Sequence, residues 1–230
     1  MDGEAGSHGS VKGNAEGRAE KAVFLKELFA DYDGNPCLQS SVNGKSGTVR
    51  KTLSVSVREL HRISPDERMP SLMSAAFAYA LSRYTGEQNA AFCSVHGDGA
   101  LSPLLFDCTD AAVADYLDRS YRVFSKCGSC GPTELEQITD CASSVMSIRF
   151  CYADGAGPTS ASDQCAKMSL LVKRKGDLFE AELCHTELYS DDFADSFLAV
   201  FDNILTGMTQ VRSLAEIVYL PARDAEVLEA

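Results

Sequence analysis

The segment from Pro70 to Val95 constrains the fold more than any other part of the chain. Pro70 stands where a helix tolerates proline, near the first turn, because the ring presets the backbone angle and no amide partner is lost. Leu72, Ala75, Ala76, Tyr79 and Ala80 then recur at helical spacing to about Tyr84, and Gly86 ends the run. The small alanine side chains of that stripe let a sheet approach closely. AAFCSV follows at residues 90–95, an apolar run that reads as a buried strand and closes at His96-Gly97-Asp98-Gly99. A packed helix leading straight into a buried strand calls for layers of helix on sheet.

The alternation continues on both sides. Upstream, EKAVFLKELFADY places Phe24, Leu25, Leu28 and Phe29 at helical spacing, and Asp33-Gly34-Asn35-Pro36 stops it. After a polar loop to Gly47, TVRKTLSVSV alternates as a strand through Val49, Leu53 and Val55, and a short helix is expected around Arg58 to Arg62. Downstream, LSPLLFDC is a second apolar run, and Asp110 is placed to cap a helix over AAVADYLDRSYRVFSK. The loop KCGSCGP breaks that helix, and TELEQI opens another, with Thr133 and Glu136 at the spacing of a capping box. SVMSIRFCY reads as a strand, and AKMSLLVKRKGDLFEAELCH as a hairpin turning at Lys175-Gly176-Asp177. Asp191 and Asp192 begin a long helix through Phe193, Phe197, Val200, Phe201, Ile204 and Leu205, which Gly207 ends. The sum is an α/β fold, a mixed β-sheet flanked by helices. Residues 1–19, rich in Gly, Ala, Ser and Glu, are expected to be a disordered leader; residues 20–220 form one lobe, and 221–230 a polar, linker-like tail.

Charge narrows the partners. A formal charge of -12 and a pI near 4.7 oppose nucleic-acid or anionic-membrane binding, since both need a basic stripe that collects phosphates. No run approaches the ~18 consecutive apolar residues of a membrane span, and the leader has no apolar core of a secretory signal. The nine cysteines are odd in number and several lie inside apolar runs, as Cys93 and Cys151 do. They read as reduced thiols of a cytoplasmic protein rather than a disulfide framework.

Few residues offer chemistry. His96 stands at a strand end with Asp98 close enough to orient it, so the two are candidates for a general base and its partner; a Gly-flanked turn also suits a solvated histidine. Cys127 and Cys130 form a lone CxxC, a candidate metal or redox pair, yet no second pair exists for zinc, and the motif follows a helix instead of preceding one. Gly97, Gly99, Gly155 and Gly157 do not make a phosphate-cradling pattern. No S-x-x-K string occurs. The residues themselves assign no catalytic group, cofactor site or metal.

Two stretches resemble a known family. In LMSAAFAYALSRYTGEQNAAFCSVHGDG, Ser82, Arg83, Tyr84, Thr85 and Gly86 reproduce the turn that opens the second lobe of nonribosomal peptide synthetase condensation domains. In CHTELYSDDFADSFLAVFDNIL, His185, Thr186, Glu187, Leu188 and Tyr189 resemble the family's Y-N-T-E/D-L-Y/F strand end, with His185 where the family has Asn. KAVFLKELF is similar to the helix that starts that lobe, and LAEIVYLPARDAEVL to the link that joins it to an adenylation domain. The chain is thus similar to the C-terminal lobe of a condensation domain over residues 20–220, a single chloramphenicol-acetyltransferase-like lobe.

The resemblance implies amide-forming acyl transfer between carrier-bound substrates, catalysed in the family through HHxxxDG in the first lobe. Here His8, His61, His96 and His185 are the only histidines, and none belongs to such a pair. Three second-lobe segments that line the family's channel are altered, reading GALSPLLFDC, SKCGSCGPTELE and DCASSVMS. His185 and Asp191 loosely echo the spacing of the missing motif, but Thr186 to Tyr189 match the second-lobe strand instead, so the echo reads as coincidence. The expectation is a non-catalytic docking or scaffold lobe in peptide synthesis, meeting an adenylation domain and a carrier protein, or a second copy of itself. Phosphopantetheine enters only as the arm of a partner carrier protein, for which Lys167, Lys173, Arg174 and Lys175 are a candidate basic patch on an otherwise solvated hairpin face. Two alternatives stand: a half enzyme completed by a first lobe in trans, and a thiol-rich binding or redox domain using the CxxC.

Overall fold

The structure, a computed structural model, describes residues 9–33, 38, 44–96, 99–155 and 166–220, with side chains from residue 19 onward. The helix α1 spans Gly9–Phe29, the strand β1 Gly47–Thr52 and the short α2 Val57–Leu60. They are followed by α3 (Met69–Thr85), β2 (Asn89–Val95), β3 (Leu101–Asp107) and α4 (Val113–Lys126). Two short helices, α5 (Pro132–Glu136) and α6 (Ala142–Ser147), lead into β4 (Ile148–Asp154). The hairpin β5 (Met168–Lys175) and β6 (Leu178–His185) precedes α7 (Asp191–Gln210). The strands form one six-stranded sheet in the order β1-β6-β5-β4-β2-β3. β4 runs parallel to both β2 and β5, and the other neighbours are antiparallel, so the sheet is mixed as expected.

The alanine-rich helix sits deeper than its one-sided stripe suggests. From Met69 to Ser82 every α3 side chain but Pro70 is buried, because the sheet takes one side while α4 and α7 take the others. Phe77 is the hub, with its ring 4.9 Å from Phe92, 5.3 Å from Phe150 and 5.8 Å from Phe197. Polar groups inside this layer are satisfied: Tyr116 donates to the Ala75 carbonyl at 2.7 Å. Gly86, at φ 74, closes the helix in the left-handed region that favours glycine.

Two contacts fix the periphery. Asp202 of α7 is 2% exposed; it accepts the Ser54 amide at 2.7 Å and the Ser54 hydroxyl at 2.8 Å, with Lys51 Nζ at 3.3 Å. The turn after β1 is thereby stapled to the helix. Residues 211–220 are seated in a similar way. Tyr79 donates to the Leu214 carbonyl at 3.0 Å, and Asn203 to that of Tyr219 at 3.1 Å. The Leu214 amide donates to the Ala111 carbonyl at 2.9 Å.

Several boundaries differ from the sequence reading. Asp110 does not cap α4; the N-cap is Ala112, which bridges to Ser213 instead. Glu134, not Glu136, serves the start of α5, accepting the Gly131 amide at 2.9 Å. The residues Ser144 to Ser147 of the expected strand SVMSIRFCY lie in α6, and β4 begins at Ile148. α7 runs past Gly207 to Gln210, and Gly207 instead gives room to Ile217: a Cβ there would lie 2.8 Å from Ile217 Cγ2. β1 ends at Thr52, short of Val55. α1 begins at Gly9 and takes in much of the stretch read as leader; residues 1–8 and the tail 221–230 lie outside the described residues.

Candidate functional site

Phe92 and Phe150 face α3, so strand alternation turns their neighbours Cys93 and Arg149 to the opposite side of the sheet. There a cavity of about 910 Å³ opens between α1, the β2–β3 turn, the 129–131 loop and α5. The first two altered channel segments meet at this cavity, through Gly99 to Leu101 and through Ser129 to Glu134. The third forms α6 and delivers Arg149, a buried guanidinium whose Nε donates to the Met146 carbonyl at 3.2 Å. Lys21 reaches from α1 to the Ser129 carbonyl and ties the helix to the loop.

Cys130 of the CxxC lines this cavity. Both thiols are free and buried. Burial pushes the Cys127 thiol up to about 12 against a weaker pull from Lys21, and burial followed by the Glu134 carboxylate raises that of Cys130. A reactive or metal-bound cysteine needs the opposite shift. Among the described residues no group of three or more His, Cys, Asp or Glu side chains is placed to hold a metal ion.

His96 and Asp98 meet different fates. Asp98 lies outside the described residues, and His96 Nε2 is 2.7 Å from the hydroxyl of Ser102, itself buried in β3. The His96 amide donates to the Ala100 carbonyl at 2.9 Å, so the imidazole is held over the β2–β3 turn.

The pairing read as coincidence is a contact. His185 Nε2 lies 3.0 Å from Asp191 Oδ1, and Nδ1 lies 3.1 Å from the Thr186 carbonyl. The side chain is 0% exposed, and the absent Cβ of Gly47 on β1 would strike both residues. Both ring nitrogens are engaged, while the Asp191 side chain stays 73% exposed. The pair joins the end of β6 to the start of α7, and it offers neither ring nitrogen to a substrate.

The basic hairpin patch is largely neutralised. Arg174 pairs with Asp66 at 3.0 Å and Asp154 at 3.4 Å, Lys175 with Glu180, and Lys173 lies 4.0 Å from Glu182. Among the described residues no helix is long and apolar enough to cross a membrane.

No protein-family model matches the chain, and no curated protein matches it either. Solved structures do. The X-domain solved in complex with OxyB from teicoplanin biosynthesis is similar at a TM-score of 0.65 and 14% identity, over 88% of this chain and 55% of that one. The starter condensation domain of rhizomide synthetase RzmA gives 0.65 at 13% identity, over 90% and 56%. The cyclization-docking bidomain of the peptide synthetase EpoB from Sorangium cellulosum gives 0.63 at 13%, over 85% and 49%. At such identities the likeness is one of fold, and the chain spans about half the length of the structures it matches.

Proposed function

We propose, from the premise that the chain carries the fold of a nonribosomal peptide synthetase condensation-like lobe, that it serves as a non-catalytic docking or scaffold element in peptide synthesis. The observation that carries this reading is the seating of residues 211–220. Tyr79 and Asn203 hold that segment on α3 and α7, Ile217 fills the space left by Gly207, and Val218 points outward at 83% exposure. A rigid segment that buries one apolar side chain and presents the next suits a partner surface. The buried imidazole of His185, with both nitrogens engaged, and the protonated thiols of the CxxC support a structural rather than a chemical role. On this reading the chain works in the cytoplasm, in keeping with seven described cysteines that are all free, beside an adenylation domain and a carrier protein bearing phosphopantetheine.

Light scattering coupled to size exclusion tests it with candidate adenylation and carrier domains of the same assembly line. A one-to-one complex that Val218→Asp weakens supports the reading. A monomer that ignores both domains overturns it.

A second reading has one observation in its favour: the altered channel segments still converge on a cavity in a chain that spans about half of a condensation-type domain. On that reading a first lobe with HHxxxDG, added in trans, restores acyl transfer. A transfer assay with and without the added lobe separates the two.

A further inference from the structure

A smaller cavity of about 190 Å³ lies where residues 63–65 and the start of α3 meet α4. Ser64 and Ser71 both line it and are 6% and 2% exposed. A buried serine in a helix ordinarily turns its hydroxyl back onto the preceding turn. Ser74 does so with the Pro70 carbonyl at 2.8 Å, and Ser82 with that of Tyr79 at 2.9 Å. The Ser64 and Ser71 hydroxyls make no such bond to any described residue. Among the described residues the one sealed side-chain oxygen without a partner is that of Tyr152, so both serine hydroxyls open onto the cavity they line.

The other walls narrow the ligand. Ile63, Leu72 and Leu117 supply apolar surface. Arg68 and Asp118 also line the cavity, but they hold each other at 3.1 Å, and the guanidinium lies 4.1 Å over the Tyr121 ring. An ion entering the cavity would compete with a pair already made. Two buried hydroxyls without partners favour a neutral group that both gives and accepts hydrogen bonds. A cavity of about 150 Å³ takes one benzene ring, which sets the size of the apolar part.

We infer that this cavity is a binding site for an uncharged primary amide on an apolar body the size of one ring. The amide oxygen accepts from Ser71, its N–H donates to Ser64, and the ring lies on Ile63, Leu72 and Leu117. Ser71 stands in the first turn of α3, where the positive end of the helix dipole favours the oxygen on that side. The inference is independent of the docking reading, because the cavity shares no residue with the 211–220 segment and needs no protein partner.

Nuclear magnetic resonance titration of the full chain with benzamide, benzoate and toluene tests it, because the three share a ring and differ in the polar group. Benzamide is expected to bind about tenfold more tightly than the other two, shifting the Leu72 and Leu117 amides. Ser71→Ala weakens benzamide by about tenfold and leaves toluene unchanged. Ala114→Trp, at an exposed lining position of α4, fills the cavity and abolishes binding of both. Resonances away from the cavity report in the same spectra that each variant keeps its fold. No benzamide binding, toluene or benzoate binding as tightly as benzamide, or benzamide binding that either variant leaves unchanged overturns the site. Water alone then satisfies the two hydroxyls.

Discussion

A carboxylate that is 2% exposed persists in a folded protein only when its oxygens are held by donors, and Asp202 meets that condition through Ser54 and Lys51. Removing it leaves the Ser54 amide and hydroxyl without their acceptor. Asp202→Ala is expected to cost about 3 kcal/mol in urea unfolding, and Ser54→Ala less, because the backbone amide keeps its partner. A loss under 1 kcal/mol would show that water replaces the contact. His185 makes a related case. With both nitrogens engaged it acts as a tie between β6 and α7, so His185→Gln, whose amide nitrogen reaches the place of Nε2 and keeps one donor for Asp191, should retain more stability than His185→Ala. Thermal melts of the two variants decide this; equal losses would mean that ring volume, not the hydrogen bond, matters. Neither residue was legible as a tie. Asp202 falls in the apolar helix DSFLAVFDNIL, and its partner Ser54 is 148 residues away in the chain. The spacing of His185 and Asp191 was visible, but only the folded geometry shows that they touch.

Between α7 and the segment 211–220 the decisive element is a missing side chain. Replacing a helix glycine by alanine ordinarily stabilises by about 1 kcal/mol. At Gly207 a Cβ would press Ile217 Cγ2 at 2.8 Å and Cγ1 at 3.3 Å, inside a contact that seats the segment. Gly207→Ala is therefore expected to lower stability in the wild-type chain and to raise it by about 1 kcal/mol when Ile217 is alanine. A double-mutant cycle by chemical denaturation with no coupling between the two sites would remove Ile217 from this role. Elements whose signals are local were readable in advance: α3 from its alanine stripe, and the β5–β6 hairpin from Gly176, whose φ of 66 requires the residue the turn has. α6 escaped because SVMS is as apolar and branched as a strand opening, and four residues do not reveal a period. The start of α4 was misplaced because its N-terminus is held by the Ala112–Ser213 bridge rather than by a side-chain cap.

Across the whole molecule, burial of thiols sets a ceiling on pH. Burial pushes Cys93 and Cys127 up to about 12, and Cys108 and Cys151 up to about 11, from an ordinary value of 9.0. The unfolded chain loses these protons first, so it binds fewer than the native state between pH 9 and 11. The stability they confer is complete below pH 9 and declines as pH rises through that window. Urea midpoints at pH 8 and pH 10 check this; an unchanged midpoint would place the thiols in contact with water. Beyond the β5–β6 hairpin the sheet order was not legible, because β2 meets β4, and β1 meets β6, across long separations that no local pattern encodes. The cavity shared that fate, since Lys21, Cys130 and Arg149 come from three distant stretches.

The stapling of residues 211–220 has a geometric consequence. With the carbonyls of Leu214 and Tyr219 held from α3 and α7, the backbone reaches Leu220 at a set position and bearing. Anything covalently joined beyond that point therefore starts from a fixed origin and heading.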